Sequence, residues 1–144
     1  MKIIFCDTNK LFGAFRYFTI HKRLYTSSFL DCISAWNEIY ISDFVIDELD
    51  ILAKREGLDI SPGVQSYKDF CEYTGIKILS SNPFDDTMLA YVHDKYDAQI
   101  LQDAIDIHAD ILLTHNIKDF KRDLIRERFW LVVMNRLPDT LFVQ

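Results

Sequence analysis

The fold is decided by residues 97–120, which have the sequence DAQILQDAIDIHADILLTHNIKDF. In the first half, side chains recur at the spacing of one helical face: Ile100, Leu101, Ala104, Ile105 and His108. This spacing predicts an amphipathic helix. Residues 111–114, which follow, form a short and almost continuously apolar run, as is typical of a strand buried on both faces of a parallel sheet. A helix that leads into such a strand indicates an α/β fold with right-handed crossovers.

The same short apolar pattern occurs four more times along the chain, in residues 3–6, 39–41, 76–79 and 131–134. Segments with helical spacing lie between these runs, and they contain Cys32 and Trp36, Val45 and Leu49, Phe70 and Tyr73, and Met88, Leu89 and Val92. Ser42 precedes the second of these segments and is a candidate N-cap. The predicted fold class is therefore α/β, with a central parallel sheet of about five strands flanked by helices.

Composition restricts the class of protein. A chain of 144 residues suffices for one domain with its own core, and 49% hydrophobic with 26% charged residues excludes a disordered chain. No apolar run approaches the roughly 18 residues that a membrane span needs. Asp7 interrupts the short apolar N-terminus, which is unlike a signal peptide. The three widely spaced cysteines favour reduced thiols, and we expect a cytoplasmic protein.

The charge balance bears on the choice of partner. A formal net charge of −6 argues against a protein that coats DNA. It is compatible with a metal-dependent enzyme, because bound cations reverse the sign of an acidic site where a phosphate would lie. Basic residues are concentrated late in the chain, at Lys118, Lys121, Arg122, Arg126 and Arg128. They predict a solvated helix face, with a phosphate-steering patch as the alternative.

Four acidic residues stand at strand ends or near helix starts. Asp7 closes the first strand, Glu48 follows the second, Asp97 begins the helix before the fourth, and Asp119 comes just after the fourth. Each alone is explained by helix capping, a solvent-facing helix position or a turn. Ligands of α/β folds bind at the carboxyl ends of parallel strands, so we expect the four to lie together. Their oxygens are the ligands that Mg²⁺ prefers, which predicts a metal site.

Several other acids in the second half of the chain lack this placement. We predict that they are surface charges: Asp85, Asp86, Asp94, Asp103 and Asp106.

Three segments resemble the PIN-domain family. Residues 3–9, IIFCDTN, resemble its opening strand, which ends in Asp-Thr/Ser-Asn. Residues 41–49, ISDFVIDEL, resemble its second motif, in which a Glu follows a short strand. Residues 97–120 resemble its third acid, the Ala-Asp before the last core strand, and the closing Thr-x-Asn-x-x-Asp-Phe. The order and spacing of these motifs cover nearly the whole chain.

The resemblance implies that residues 1–144 form a single PIN-like domain with a three-layer fold. It also implies Mg²⁺- or Mn²⁺-dependent hydrolysis of RNA and kinship with the VapC-like toxins of toxin–antitoxin modules. The partners implied are RNA, an antitoxin protein and a second copy of the chain in a homodimer. Carried over by position, the catalytic and metal-binding residues are Asp7, Glu48, Asp97 and Asp119, and the residues that support them are Thr8, Asn9, Thr114 and Asn116.

One position departs from the family pattern and leaves an alternative open. Asn116 stands where many PIN domains have Asp, so either Asp119 supplies the fourth carboxylate or the site works with three. The alternative function is a non-catalytic PIN-like module that binds RNA or protein. A phosphatase or receiver domain is disfavoured, because Asn9 and the pair Phe5-Cys6 stand where those classes need acids.

Overall fold

A computed structural model describes residues 2–7, 37–55 and 75–135. In these ranges the strands are β1 (Ile3–Cys6), β2 (Glu38–Ser42), β3 (Lys77–Leu79), β4 (Ile111–Leu113) and β5 (Val132–Met134). The α-helices in the same ranges are α1 (Asp43–Arg55), α2 (Lys95–Asp106) and α3 (Arg122–Phe129). Two short 3₁₀-helices span Asp86–Ala90 and Ile117–Asp119.

The strands form one parallel sheet in the order β3-β2-β1-β4-β5. The chain moves from β1 outward through β2 to β3, and then crosses to the other side of β1 to form β4 and β5. The strand order therefore reverses between β1 and β4. The predicted α/β, PIN-like fold class is confirmed, and each predicted strand agrees with an observed one to within one residue at either end.

The central strands are buried along their length. The last three residues of β1 and all three of β4 are buried, as their continuous apolar sequences predict. The outer strands of the described sheet are less covered, because each has only one neighbour among the described strands. Ile78 of β3 and Val132 of β5 are exposed. The best-covered strands are thus the two that flank the reversal.

Helix α1 starts where its sequence predicts. Ser42 is the last residue of β2, and its Oγ accepts the N–H of Val45 at 3.4 Å, which satisfies a donor of the first turn. The predicted cap is therefore confirmed. Val45 and Leu49 of this helix are both buried in the core.

Helix α2 ends before His108, so the prediction that His108 extends its helical face is wrong. His108 has a positive φ of 55°. Its N–H donates to Ile105 O at 2.9 Å, and the N–H of Ala109 donates to Ala104 O at 3.0 Å. These two bonds form a Schellman motif, which ends the helix and turns the chain into β4.

The helix predicted through Met88, Leu89 and Val92 is shorter than expected. The segment forms only the 3₁₀-helix Asp86–Ala90, and Val92 lies beyond it in an isolated antiparallel bridge with Phe120. Asp85 caps this turn, because its carboxylate accepts the N–H of Thr87 at 3.0 Å. Pairing with Phe120 takes the chain out of helical geometry before another turn can form.

Some predictions lie outside the described residues. These are the helices through Cys32 and Trp36 and through Phe70 and Tyr73, and the supporting roles of Thr8 and Asn9. Within the described ranges, no helix has both the length and the apolar character needed to cross a bilayer.

We predict that Asp110 fastens the start of β1 to the start of β4. The N–H of Ile3 donates to Asp110 Oδ2 at 2.8 Å, and the N–H of Asp110 donates to Ile3 O at 2.8 Å. Removing the charged acceptor leaves the Ile3 N–H poorly satisfied, so Asp110→Ala should lower the free energy of unfolding by about 1.5–3 kcal/mol in urea denaturation. The exposed Asp47→Ala is the control and should change it by less than about 0.5 kcal/mol. Equal effects of the two substitutions would contradict the prediction.

Candidate functional site

Asp7 and Thr114 lie side by side at the carboxyl ends of the two central strands. Cys6 pairs with Leu113 in the sheet, so the residues that follow them are neighbours as well. The N–H of Asp7 donates to Leu113 O at 2.9 Å, and Thr114 Oγ1 donates to Asp7 Oδ2 at 2.8 Å. Both side chains are buried, Asp7 with only 1% exposed. This is the strand-order reversal, where parallel α/β sheets form their ligand crevice.

A cavity of about 350 Å³ opens beside this pair. It contains all four acids that the sequence predicts for the site, together with Asn116. The lining residues are Asp7, Glu48, Asp94, Tyr96, Asp97, Asn116 and Asp119. Of these described lining residues, five are acids and none is basic, so this part of the cavity wall concentrates negative charge.

Burial and the neighbouring acids both act on Asp97. It is 4% exposed, and its N–H donates to Asp94 Oδ1 at 3.0 Å, which makes Asp94 the N-cap of α2. Burial, with repulsion from Asp7, Asp94 and Asp119, raises the pKa of Asp97 to about 7, although a hydrogen bond from the Asn116 side chain lowers it. A cation at this place would hold Asp97 ionised.

Glu48 projects from the second turn of α1 and is partly exposed. Burial is the main cause that raises the pKa of Glu48 above its usual range, and the charge of Asp7 raises it further, whereas Arg55 lowers it. Glu48 on α1 and Asp7 at the end of β1 are therefore close enough for their negative charges to repel each other.

Asn116 and Asp119 occupy different parts of the site. The Asn116 side chain donates to Asp97, and its backbone N–H donates to Thr114 Oγ1 at 3.2 Å. Asn116 therefore links Asp97 and Thr114, both of which are buried. Asp119 is exposed at the end of its 3₁₀-helix and adds another carboxylate to the lining. Of the two candidates for the fourth acid, Asp119 is the one that brings a charge.

The sequence prediction missed two members of the lining. Asp94 was expected to be only a surface charge; it is exposed, but it also lines the cavity. Its position three residues before Asp97, at capping distance, was the available signal. Tyr96 carried no such signal, and its ring packs against that of Phe44 on α1, with centroids 4.9 Å apart.

The prediction that Asp103 is a surface charge is wrong. Its side chain is only 4% exposed, because this face of α2 packs against the segment after β3, where Ser81 Oγ donates to Asp103 Oδ2 at 2.9 Å. Asp85, Asp86 and Asp106 are exposed, as predicted.

In the described ranges, no group of three or more His, Cys, Asp or Glu side chains is arranged to hold a metal ion. The acids share one cavity wall without forming a ready ligand cluster. The donor type nevertheless suits a hard cation, because carboxylate oxygens are the ligands of Mg²⁺ in proteins. Burial, and then repulsion from Asp7, Asp94 and Asp119, raises the pKa of Asp97, and a bound cation would counter both effects.

The sequence matches no model of a known protein family and no curated protein. A function for the chain is therefore inferred from the geometry and charge of this cavity.

We predict that Asp97 makes the free energy of unfolding depend on pH. Its pKa is 3.8 in the reference state and about 7 in the fold, so between these values the folded chain keeps a proton that the unfolded chain releases. The contribution of Asp97 to the free energy of unfolding is therefore fully present below its pKa in the unfolded chain. It is lost as the pH rises through its pKa in the folded chain. In chelator, the gain in melting temperature of Asp97→Asn over wild type should therefore grow from about pH 4 to pH 7. A gain that does not vary with pH would contradict the assignment.

Proposed function

We propose that this chain is a metal-dependent endoribonuclease of the PIN type, which hydrolyses RNA phosphodiester bonds with Mg²⁺ or Mn²⁺. The observation that carries the proposal is the convergence of Asp7, Glu48, Asp97 and Asp119 on one cavity. That cavity lies where the strand order reverses, at the carboxyl ends of β1 and β4. The resemblance of the sequence to PIN domains supports the choice of chemistry and of RNA as substrate.

Bound metal would relieve the repulsion among the acids. It would also lower the pKa of a bound water and stabilise the charge that develops on the phosphate oxygens. Asp7, Glu48 and Asp97 would hold the ion, with Asp119 as the fourth carboxylate. Because the acids of the described ranges do not already form a cluster of three, we infer that the partly exposed side chain of Glu48 and the exposed side chain of Asp119 move toward the ion when it binds.

The residues of the chain itself divide into fixed and adjustable groups. Asp7 is held by Thr114 at 2.8 Å, and Asp97 is oriented by Asn116 and by its place at the start of α2. The first turn of a helix favours a negative charge, which partly offsets the burial of Asp97. The described part of the lining has five acids and no base. It therefore repels RNA phosphate until a cation is present, so RNA should enter this site only with metal.

The resemblance alone suggests the biological role. By it we propose a toxin with an antitoxin protein as partner, and a homodimer. We also propose a cytoplasmic location, which the three widely spaced cysteines of the sequence support. Cys6, a buried thiol outside any disulfide, is compatible with a reducing compartment.

We predict that Asp7→Asn and Asp97→Asn each reduce RNA cleavage by about 100-fold or more, because each removes a charged ligand. Both variants should keep the fold, and in chelator they should melt at the same or a higher temperature than wild type, because a buried repulsion is relieved. Asp119→Asn should have a smaller effect, since Asp119 is exposed. The measurement is cleavage of a labelled single-stranded RNA in Mn²⁺, with circular dichroism as the test of folding.

The matched control is Asp123→Asn, which removes an exposed acid from the first turn of α3, outside the cavity lining. It should cleave RNA at the wild-type rate. The proposal would be contradicted if Asp7→Asn cleaved RNA at the wild-type rate. It would also be contradicted if the wild-type protein cleaved RNA in excess chelator.

A second candidate is a non-catalytic module that binds RNA or protein. It is favoured by Asn116 in place of an acid, and by the absence of a ready cluster of three ligands among the described residues. RNA binding in gel shifts that needs no metal, persists in Asp7→Asn and is accompanied by no cleavage would favour this candidate.

A further inference from the structure

One side of α2 is polar and yet buried. Gln99, Gln102 and Asp103 all lie on it, and none of them lines the acidic cavity. Gln102 Oε1 accepts the N–H of Asp85 at 2.7 Å, and its Nε2 donates to Pro83 O at 2.9 Å. These side chains therefore hold the segment that follows β3 against α2.

Asp103 is the centre of this buried network. Its Oδ1 accepts from Gln99 Nε2 at 3.0 Å, and its Oδ2 accepts from Ser81 Oγ at 2.9 Å. The Ser42 side chain also donates to this carboxylate. A buried carboxylate is costly unless it is hydrogen-bonded, and three donors from three different segments provide the compensation here.

Ser42 connects this carboxylate to the start of α1. Its Oγ accepts the N–H of Val45 as the cap of that helix, while its hydroxyl donates to Asp103. Nearby, Asp43 Oδ1 accepts the N–H of Ser81 at 3.0 Å. The first residues of α1, the segment after β3 and the middle of α2 are thus joined at one place.

Each of the two helices carries a cavity acid at the same interval from this junction. Glu48 lies six residues after Ser42, and Asp97 lies six residues before Asp103. Six residues correspond to about 9 Å along a helix axis. Because a helix is rigid over less than two turns, the separation of Glu48 and Asp97 depends on how α1 and α2 are joined. The ring contact of Phe44 with Tyr96 is a further attachment between them.

We propose that Asp103 is a positioning residue, which acts through its hydrogen bond with Ser81, and through Ser81 on Asp43 at the start of α1, to fix the separation of Glu48 and Asp97 across the cavity. The inference rests on the proposed metal-dependent function. A site whose acids line a cavity without forming a compact cluster depends on helix placement, because a small displacement changes how many carboxylates can reach one ion. A merely structural role for Asp103 would change stability without changing metal affinity.

The test is Mn²⁺ binding by isothermal titration calorimetry, at a temperature at which circular dichroism shows every variant to be folded. Asp103→Ala should weaken Mn²⁺ binding about tenfold. Asp103→Asn keeps one oxygen acceptor and gains an N–H group that the hydroxyl oxygen of Ser81 or Ser42 can accept. Its Mn²⁺ affinity should therefore stay within about threefold of wild type. Ser81→Ala removes one of the three donors and should reduce Mn²⁺ affinity by less than Asp103→Ala does. It replaces Asp103→Ala as the test if that variant does not fold.

The matched control is Ile125→Val, which removes a buried methyl group from α3 and should lower the melting temperature while leaving Mn²⁺ affinity unchanged. Wild-type affinity in folded Asp103→Ala, or in Ser81→Ala where Asp103→Ala does not fold, would overturn the inference and leave the proposed function standing. Equal losses in the Ala and Asn variants would also overturn it, because charge rather than hydrogen bonding would then be the cause. A wild-type chain that binds no Mn²⁺ would overturn the proposed function and this inference with it.

Discussion

The parallel pairing of β1 with β4 is the constraint on which the candidate site depends. Because Cys6 pairs with Leu113, Asp7 and Thr114 emerge next to each other and form a buried hydrogen bond. A shift of the register by one residue would turn one of the two side chains to the opposite face of the sheet and break this bond. The continuous apolar sequences of the two strands bury them deeply, and this burial helps to hold the register.

The same arrangement has an energetic cost. The fold brings five acids to one cavity, with no basic side chain among the described residues of its lining. Burial, together with repulsion from Asp7, Asp94 and Asp119, raises the pKa of Asp97. An arrangement of this kind is unfavourable for the metal-free protein and favourable for binding a cation, since each carboxylate that repels its neighbours attracts the ion. The hydrogen bonds of Asp7 with Thr114 and of Asp97 with Asn116 keep these two acids in place in spite of the repulsion.

Much of the fold and part of the site can be predicted from sequence because they depend on local patterns. Short apolar runs give the strands, and an acid at the end of β1 or the start of α2 can be located from the strand and helix boundaries alone. Asp103 could not be placed in this way, because its burial depends on Ser81, 22 residues away, and on Ser42 at the end of another strand. Likewise, Met88 and Val92 have helical spacing, but pairing of Val92 with Phe120 decides the local structure. The hydrogen bond of Asn116 to Asp97 is also a tertiary contact that no spacing reveals.

The most direct test of the account is X-ray diffraction from crystals soaked in Mn²⁺, with anomalous scattering to locate the ion. We predict a strong anomalous peak in the acidic cavity, within about 2.0–2.6 Å of carboxylate oxygens of Asp7 and Asp97, and loss of that peak in Asp7→Asn. A cavity without anomalous density at saturating Mn²⁺, or a peak that persists unchanged in Asp7→Asn, would contradict the claim that these strand-end acids form a metal site.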